Sequence, residues 1–146
     1  MVSSLSVKVD SKQAIDQLKK IPAASEIVTE QFYDRGSLAV MEKMRRNTPK
    51  KRGFLRESVT RIKTSEGFLV YPAAAYAEIV EKGSRPHIIF PASGKVLHRL
   101  GPWGEPIFVK KINHPGFPGR FFIRRTDEEI GGTLEQLFAS ILSENL

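Results

Sequence analysis

The side chains that could do chemistry here are three histidines, one acidic run and two groups of basic residues. His87, His98 and His114 make no HxH or HExxH spacing, and no carboxylates accompany them at ligand distance along the chain. A metal site needs several such donors converging on one ion. His114, beside Pro115 in a glycine-rich stretch, reads as a hydrogen-bonded structural residue. Asp127, Glu128 and Glu129 stand near the start of an expected helix, where they complement the helix dipole better than they serve acid–base catalysis. GxSxG, P-loop and dinucleotide-type glycine patterns are absent. There is no cysteine, which excludes disulfides, thiolate metal sites and cysteine nucleophiles. These residues predict no catalysis, no cofactor and no metal.

The basic residues have an address. The net charge is +7, and Lys43, Arg45, Arg46, Lys50, Lys51, Arg52 and Arg56 fall within fourteen positions. Cations at a helix C-terminus are favourable in any protein. That accounts for Lys43, Arg45 and Arg46 but not for the added Lys50, Lys51 and Arg52. A second group, Arg120, Arg124 and Arg125, lies later in the chain. Arg45, Arg46, Lys50, Lys51 and Arg52 are candidate contacts to nucleic-acid phosphates or to an acidic partner.

The elements that must position these groups read as one domain over residues 1–146. A chain of this size buries roughly 70% of its unfolded surface. No apolar run approaches the ~20 residues of a membrane span. The start, MVSSLSVKVD, is not expected to be a secretory signal. Leu5, Val7 and Val9 alternate as in a strand, and residues 11–21 follow as a helix that Pro22 ends. From Ser25 to Arg46 a helical stripe carries Tyr33, Ser37, Val40, Met41 and Met44, and Pro49 stops it. Gly36 either weakens that helix or admits a close neighbour. VTRIKT and FLVYP form a hairpin with Gly67 in the turn. A short helix over 73–82 should face Tyr76, Ile79 and Val80 inward, with Gly83 as its cap. HIIFP and KVLHRL are expected to pair around ASG, and GPWGEP is a further turn before the strand IFVKKI. The last helix carries Ile123, Ile130, Leu134, Leu137, Phe138 and Ile141, with Gly131 and Gly132 bending or loosening it. The order predicts an α+β fold: a mostly antiparallel β-sheet, with a long helix and a C-terminal helix packed on one face.

Between the last strand and the last helix lies INHPGFPGR, Ile112 to Arg120, with two prolines and two glycines in nine residues. It reads as a rigid connector that aims the final helix. Gly116 after Pro115 suits a turn at positive φ, and His114 would brace that turn.

Three blocks, residues 47–59, 73–89 and 112–129, together resemble the HK97 gp10-like family of tailed-phage proteins. The matching residues are Thr48, Pro49, Gly53, Leu55 and Ser58; then Tyr76, Ala77, Glu81, Gly83, Ser84, Arg85, Pro86 and His87; then His114, Pro115, Gly116, Gly119 and Phe122. Arg52 stands where that family often has Thr, and Phe121 where it often has Pro. The resemblance implies a non-catalytic virion protein at the head–tail junction, a tail-completion or neck component assembled in the host cytoplasm. It implies self-association in a ring, with six copies expected. Neighbouring head-closure, tail-terminator or tail-tube proteins would be its partners, with packaged DNA in the channel and no membrane. Arg52, Gly53, Phe54, Leu55, Arg85, Pro86, His87, His114, Pro115, Gly116 and Phe122 are then the expected assembly residues. The basic loops leave a nucleic-acid-binding module as the alternative. A nuclease is the third reading, and it would need carboxylates gathered beside a histidine.

Overall fold

The computed structural model describes residues 6–10, 25–92 and 94–145, and they form an α+β fold. Strands β1 (Val7–Asp10), β2 (Val59–Thr64) and β3 (Gly67–Pro72) make an antiparallel sheet in the order β1-β3-β2. The helix expected over 11–21 lies outside the described residues.

Two long helices supply most of the remaining core. Helix α1 spans Ser25–Asn47 and buries Val28, Phe32, Tyr33, Gly36, Ser37, Val40 and Met44. Thr48 ends it, its own N–H and hydroxyl both donating to the Met44 carbonyl (2.9 and 2.7 Å). Pro49 then bars continuation. The last helix is labelled α4 and spans Phe122–Asn145; Phe122, Ile123, Thr126, Ile130, Leu134 and Ile141 are buried. The two helices pack on each other and on Phe68 and Val70 of β3. Phe32 meets Phe138 edge-on at 5.4 Å and Phe68 at 6.3 Å. Gly36 permits that packing: a Cβ there would stand 3.3 Å from the Phe68 ring and 3.6 Å from Leu134. The close neighbours are side chains.

Polar contacts fix the register of the pair. Lys43 binds Glu129 (2.9 Å), Arg35 binds Glu144 (2.8 Å), and the Asn47 amide donates to Thr126 (3.1 Å). Hydrogen bonds from Lys43 and then Asn47 hold the Glu129 carboxyl below its ordinary pKa, and Arg35 and Ser140 do the same for Glu144. Both ion pairs therefore favour the fold at neutral pH and lose that effect as the carboxylates protonate in acid.

Helix α2 (Phe54–Glu57) and helix α3 (Ala77–Lys82) are short. After α3 the chain leaves the core. Strands β4 (Gly83–Ser84), β5 (His87–Ile89), β6 (Leu97–Leu100), β7 (Pro106–Val109), β8 (Ile112–His114) and β9 (Phe117–Pro118) pair only as ribbons: β4 with β9, β5 with β8 and β6 with β7. The ribbons are nested, so residues 83–118 form one arm that goes out and returns. No described residue from Lys82 to Phe121 is buried as a whole, although the Ser84 hydroxyl oxygen is enclosed.

Several expectations are corrected. HIIFP does not pair with KVLHRL; β5 pairs with β8 across the whole excursion, and β6 turns back on β7 through GPWGEP. INHPGFPGR is not an irregular connector, because it contributes strands β8 and β9. Gly67 lies in β3, opposite both Asp10 and Thr64, and Ser65 and Glu66 make the turn. Helix α3 buries Ala77 and Glu81, while Tyr76 and Ile79 stay about half exposed. Helix α4 continues through Gly131 and Gly132 without a break.

Two predictions follow from the packing. Leu55 belongs to the core, so Leu55→Ala should cost about 2–5 kcal/mol in denaturant unfolding, and Leu55→Asp more. A Cβ at Gly131 or Gly132 would meet nothing within 4 Å. Gly132→Ala should therefore stabilise the chain by about 0.5–1 kcal/mol, read as a higher denaturant midpoint.

Candidate assembly surface

Three glycines and one buried carboxylate join the arm to the core. A Cβ on Gly83 would stand 2.8 Å from the carbonyl carbon of Pro118, one on Gly116 2.8 Å from that of Arg85, and one on Gly119 2.8 Å from that of Lys82. Only hydrogen fits, so segments 81–86 and 116–121 lie backbone against backbone. Arg120 and Phe121 donate their N–H groups to the carbonyls of Val80 (2.9 Å) and Glu81 (3.1 Å). The buried Glu81 carboxylate accepts the Ile123 N–H (2.9 Å) and the Arg124 N–H (3.1 Å) at the start of α4. A helix leaves its first N–H groups without internal partners, and here an acid from another helix supplies them. This is why α3 turns Glu81 inward in place of Ile79.

The next layer is a histidine pair. His87 and His114 face each other in the β5–β8 register and stack at 4.9 Å. Gly116, at φ 75, donates its N–H to His114 Nδ1 (3.0 Å). His114 therefore carries its proton on Nε2 when neutral, and it braces the turn as expected. His87 Nδ1 lies 2.9 Å from the Arg85 carbonyl and must be the donor of that bond. Among the described residues, no three His, Asp or Glu side chains gather to hold a metal.

The three sequence blocks also meet at a groove of about 500 Å³. Leu55, Phe54, Tyr76, Val80 and Phe117 give it an apolar lining; Lys51, Arg52 and Arg120 add positive charge. Gly53, at φ 90, turns the chain so that Phe54 stands 66% exposed while Leu55 beside it is buried.

The expected site residues divide accordingly. Arg52, Gly53, Phe54 and Leu55 line the groove, and Arg85, Pro86, His87, His114, Pro115 and Gly116 build the arm's base. Phe122 is fully buried and Leu55 nearly so, which makes both core residues, not surface contacts. Arg45 points inward, donating to the Val59 carbonyl (3.0 Å), and Lys43 is held by Glu129. Arg46 pairs with Glu42. Lys50, Lys51 and Arg52 are exposed. Tyr76, Glu81, Phe117 and Arg120 escaped the sequence-based site. Glu81 matched a motif, yet nothing local marks it as the cap of a helix some forty residues on. Compared with known families, with curated proteins and with solved structures, the chain matches none.

Gly116→Val places a β-branched side chain at positive φ and against the Arg85 backbone. It should lower stability by more than the ~1–2 kcal/mol of the conformation alone. His114→Asn retains an acceptor two residues before the Gly116 N–H, so thermal unfolding should find it milder than His114→Leu.

Proposed function

We propose that this chain is a non-catalytic, ring-forming virion structural protein of a tailed phage, a tail-completion or neck component at the head–tail junction. The reading rests on the resemblance of its three blocks. The observation that carries it furthest is that those blocks, far apart in sequence, interlock at one place: the glycine joint and the adjoining groove. The groove lining holds no carboxylate and no histidine, which suits binding better than reaction. An arm in which no described residue is buried as a whole suits a subunit that finishes its burial on neighbours. Its partners would be copies of itself, six by the resemblance, together with adjoining head-closure, tail-terminator or tail-tube proteins.

At Phe121 the chain departs from the family's proline in a physical way. Phe121 sits at φ 48, which a proline ring, fixed near −65°, cannot adopt.

The second reading, a DNA-binding module, is favoured by exposed Lys50, Lys51 and Arg52. Purified phage particles should contain the chain in ring stoichiometry by quantitative mass spectrometry, and deletion of its gene should leave filled heads and tails unjoined. Complete, infectious particles without it would contradict the proposal. The isolated chain should bind duplex DNA no more tightly than nonspecific binding at physiological salt, with Kd of about 1–100 μM. Nanomolar binding that weakens steeply with salt would favour the module instead.

A further inference from the structure

The outer part of the arm exposes an anchor without a socket. The turn between β6 and β7 holds Trp103, the chain's single tryptophan, 92% exposed. Leu100 and Phe108, on one face of the same ribbon, are 66% and 63% exposed. A two-stranded ribbon is marginal alone in water, and tryptophan is among the residues that most often carry binding energy at protein interfaces. The turn is nevertheless built firmly. Gly101 donates its N–H to the Glu105 carbonyl (2.8 Å), and the Glu105 carboxylate accepts the Trp103 N–H (3.0 Å). The acid is thereby fixed at the Trp103 backbone. From Leu100 to Pro106 it is the one charged residue, while Lys95, Arg99, Lys110 and Lys111 lie behind the tip.

The groove at the arm's base has the matching chemistry. Phe54, Tyr76 and Phe117 offer aromatic surface in a space of about 500 Å³, and Lys51, Arg52 and Arg120 carry positive charge. We propose that the occupant of this groove is the arm tip of a second copy of the chain. Trp103 of one copy enters between Phe54, Tyr76 and Phe117 of the next, and Glu105 meets Arg52 and Lys51. Each copy then gives one tip and receives one, a heterologous contact that closes into a ring when the rotation permits. The contact deepens the ring reading and rests on it.

Trp103 is also the probe. Self-association of the full chain is followed by light scattering while its emission is recorded. Assembly should shift the emission to the blue and shield the indole from acrylamide. Trp103→Ala should raise the dissociation constant about 30-fold or more, the scale of an interface hot spot. Glu105→Lys should weaken assembly, and Arg52→Glu in the same chain should restore it. Glu105→Gln, which keeps an acceptor for the Trp103 N–H, should also weaken assembly, separating lost charge from a lost turn. Assembly with unchanged emission and no effect of Trp103→Ala would overturn the contact and leave the ring reading standing. Wild-type chain that stays monomeric at millimolar concentration would also overturn the contact, and the ring reading would then be judged on the particles.

Discussion

The Glu81 carboxylate, bound to the Ile123 and Arg124 amides, is the constraint on which the rest of the structure depends. It ties α3 to α4 at the point where the chain enters and leaves the arm. A buried carboxylate with fewer partners would cost several kcal/mol of desolvation. Here two amides at the positive end of a long helix satisfy it. The three glycines let the two backbones approach closely enough for those bonds to form. Any side chain at Gly83, Gly116 or Gly119 would separate the strands and pull the acid away from the helix.

That joint divides the molecule into two physically different parts. On one side, α1, α4 and the sheet bury a continuous apolar cluster that includes Phe68, Phe122, Met44 and Ile141. On the other, the arm has backbone pairing and side-chain stacking but no buried core. Its order depends on the joint, on the stacked His87 and His114 and on the tip turn. The groove lies at the boundary, where the basic loop after α1, α3 and β9 converge. An exposed aromatic tip and a basic aromatic groove on the same chain are the two surfaces that the proposed self-assembly would join.

The two long helices, α1 and α4, were legible because a 3.6-residue period survives in their apolar residues, whereas the single turn of α2 was not expected. Tyr33, Val40 and Met44 in α1, and Ile123, Ile130 and Ile141 in α4, are buried as their spacing requires. The β2–β3 hairpin was legible because a short turn separates two β-rich runs. The arm was not. His87 and His114 pair across an excursion of more than twenty residues, and alternation within HIIFP does not say which distant strand it meets. The orientation of α3 was also hidden, since a buried glutamate wins over apolar Ile79 only because α4 supplies its amides. Of the candidate surface, the His114 brace and the positive φ of Gly116 could be read from local turn chemistry. The groove could not, because it is assembled from three separated segments.

The proposed assembly requires that the arm be completed by a partner. Amide hydrogen exchange, measured on the dilute chain and on its assembled form, tests this most directly. In the free chain, the amides of β5 to β8 should exchange orders of magnitude faster than those of β3 and the middle of α1, because no buried side chains resist their opening. On assembly the arm amides should slow markedly. Arm amides that exchange as slowly as the core in the free chain, with no change on assembly, would contradict the account.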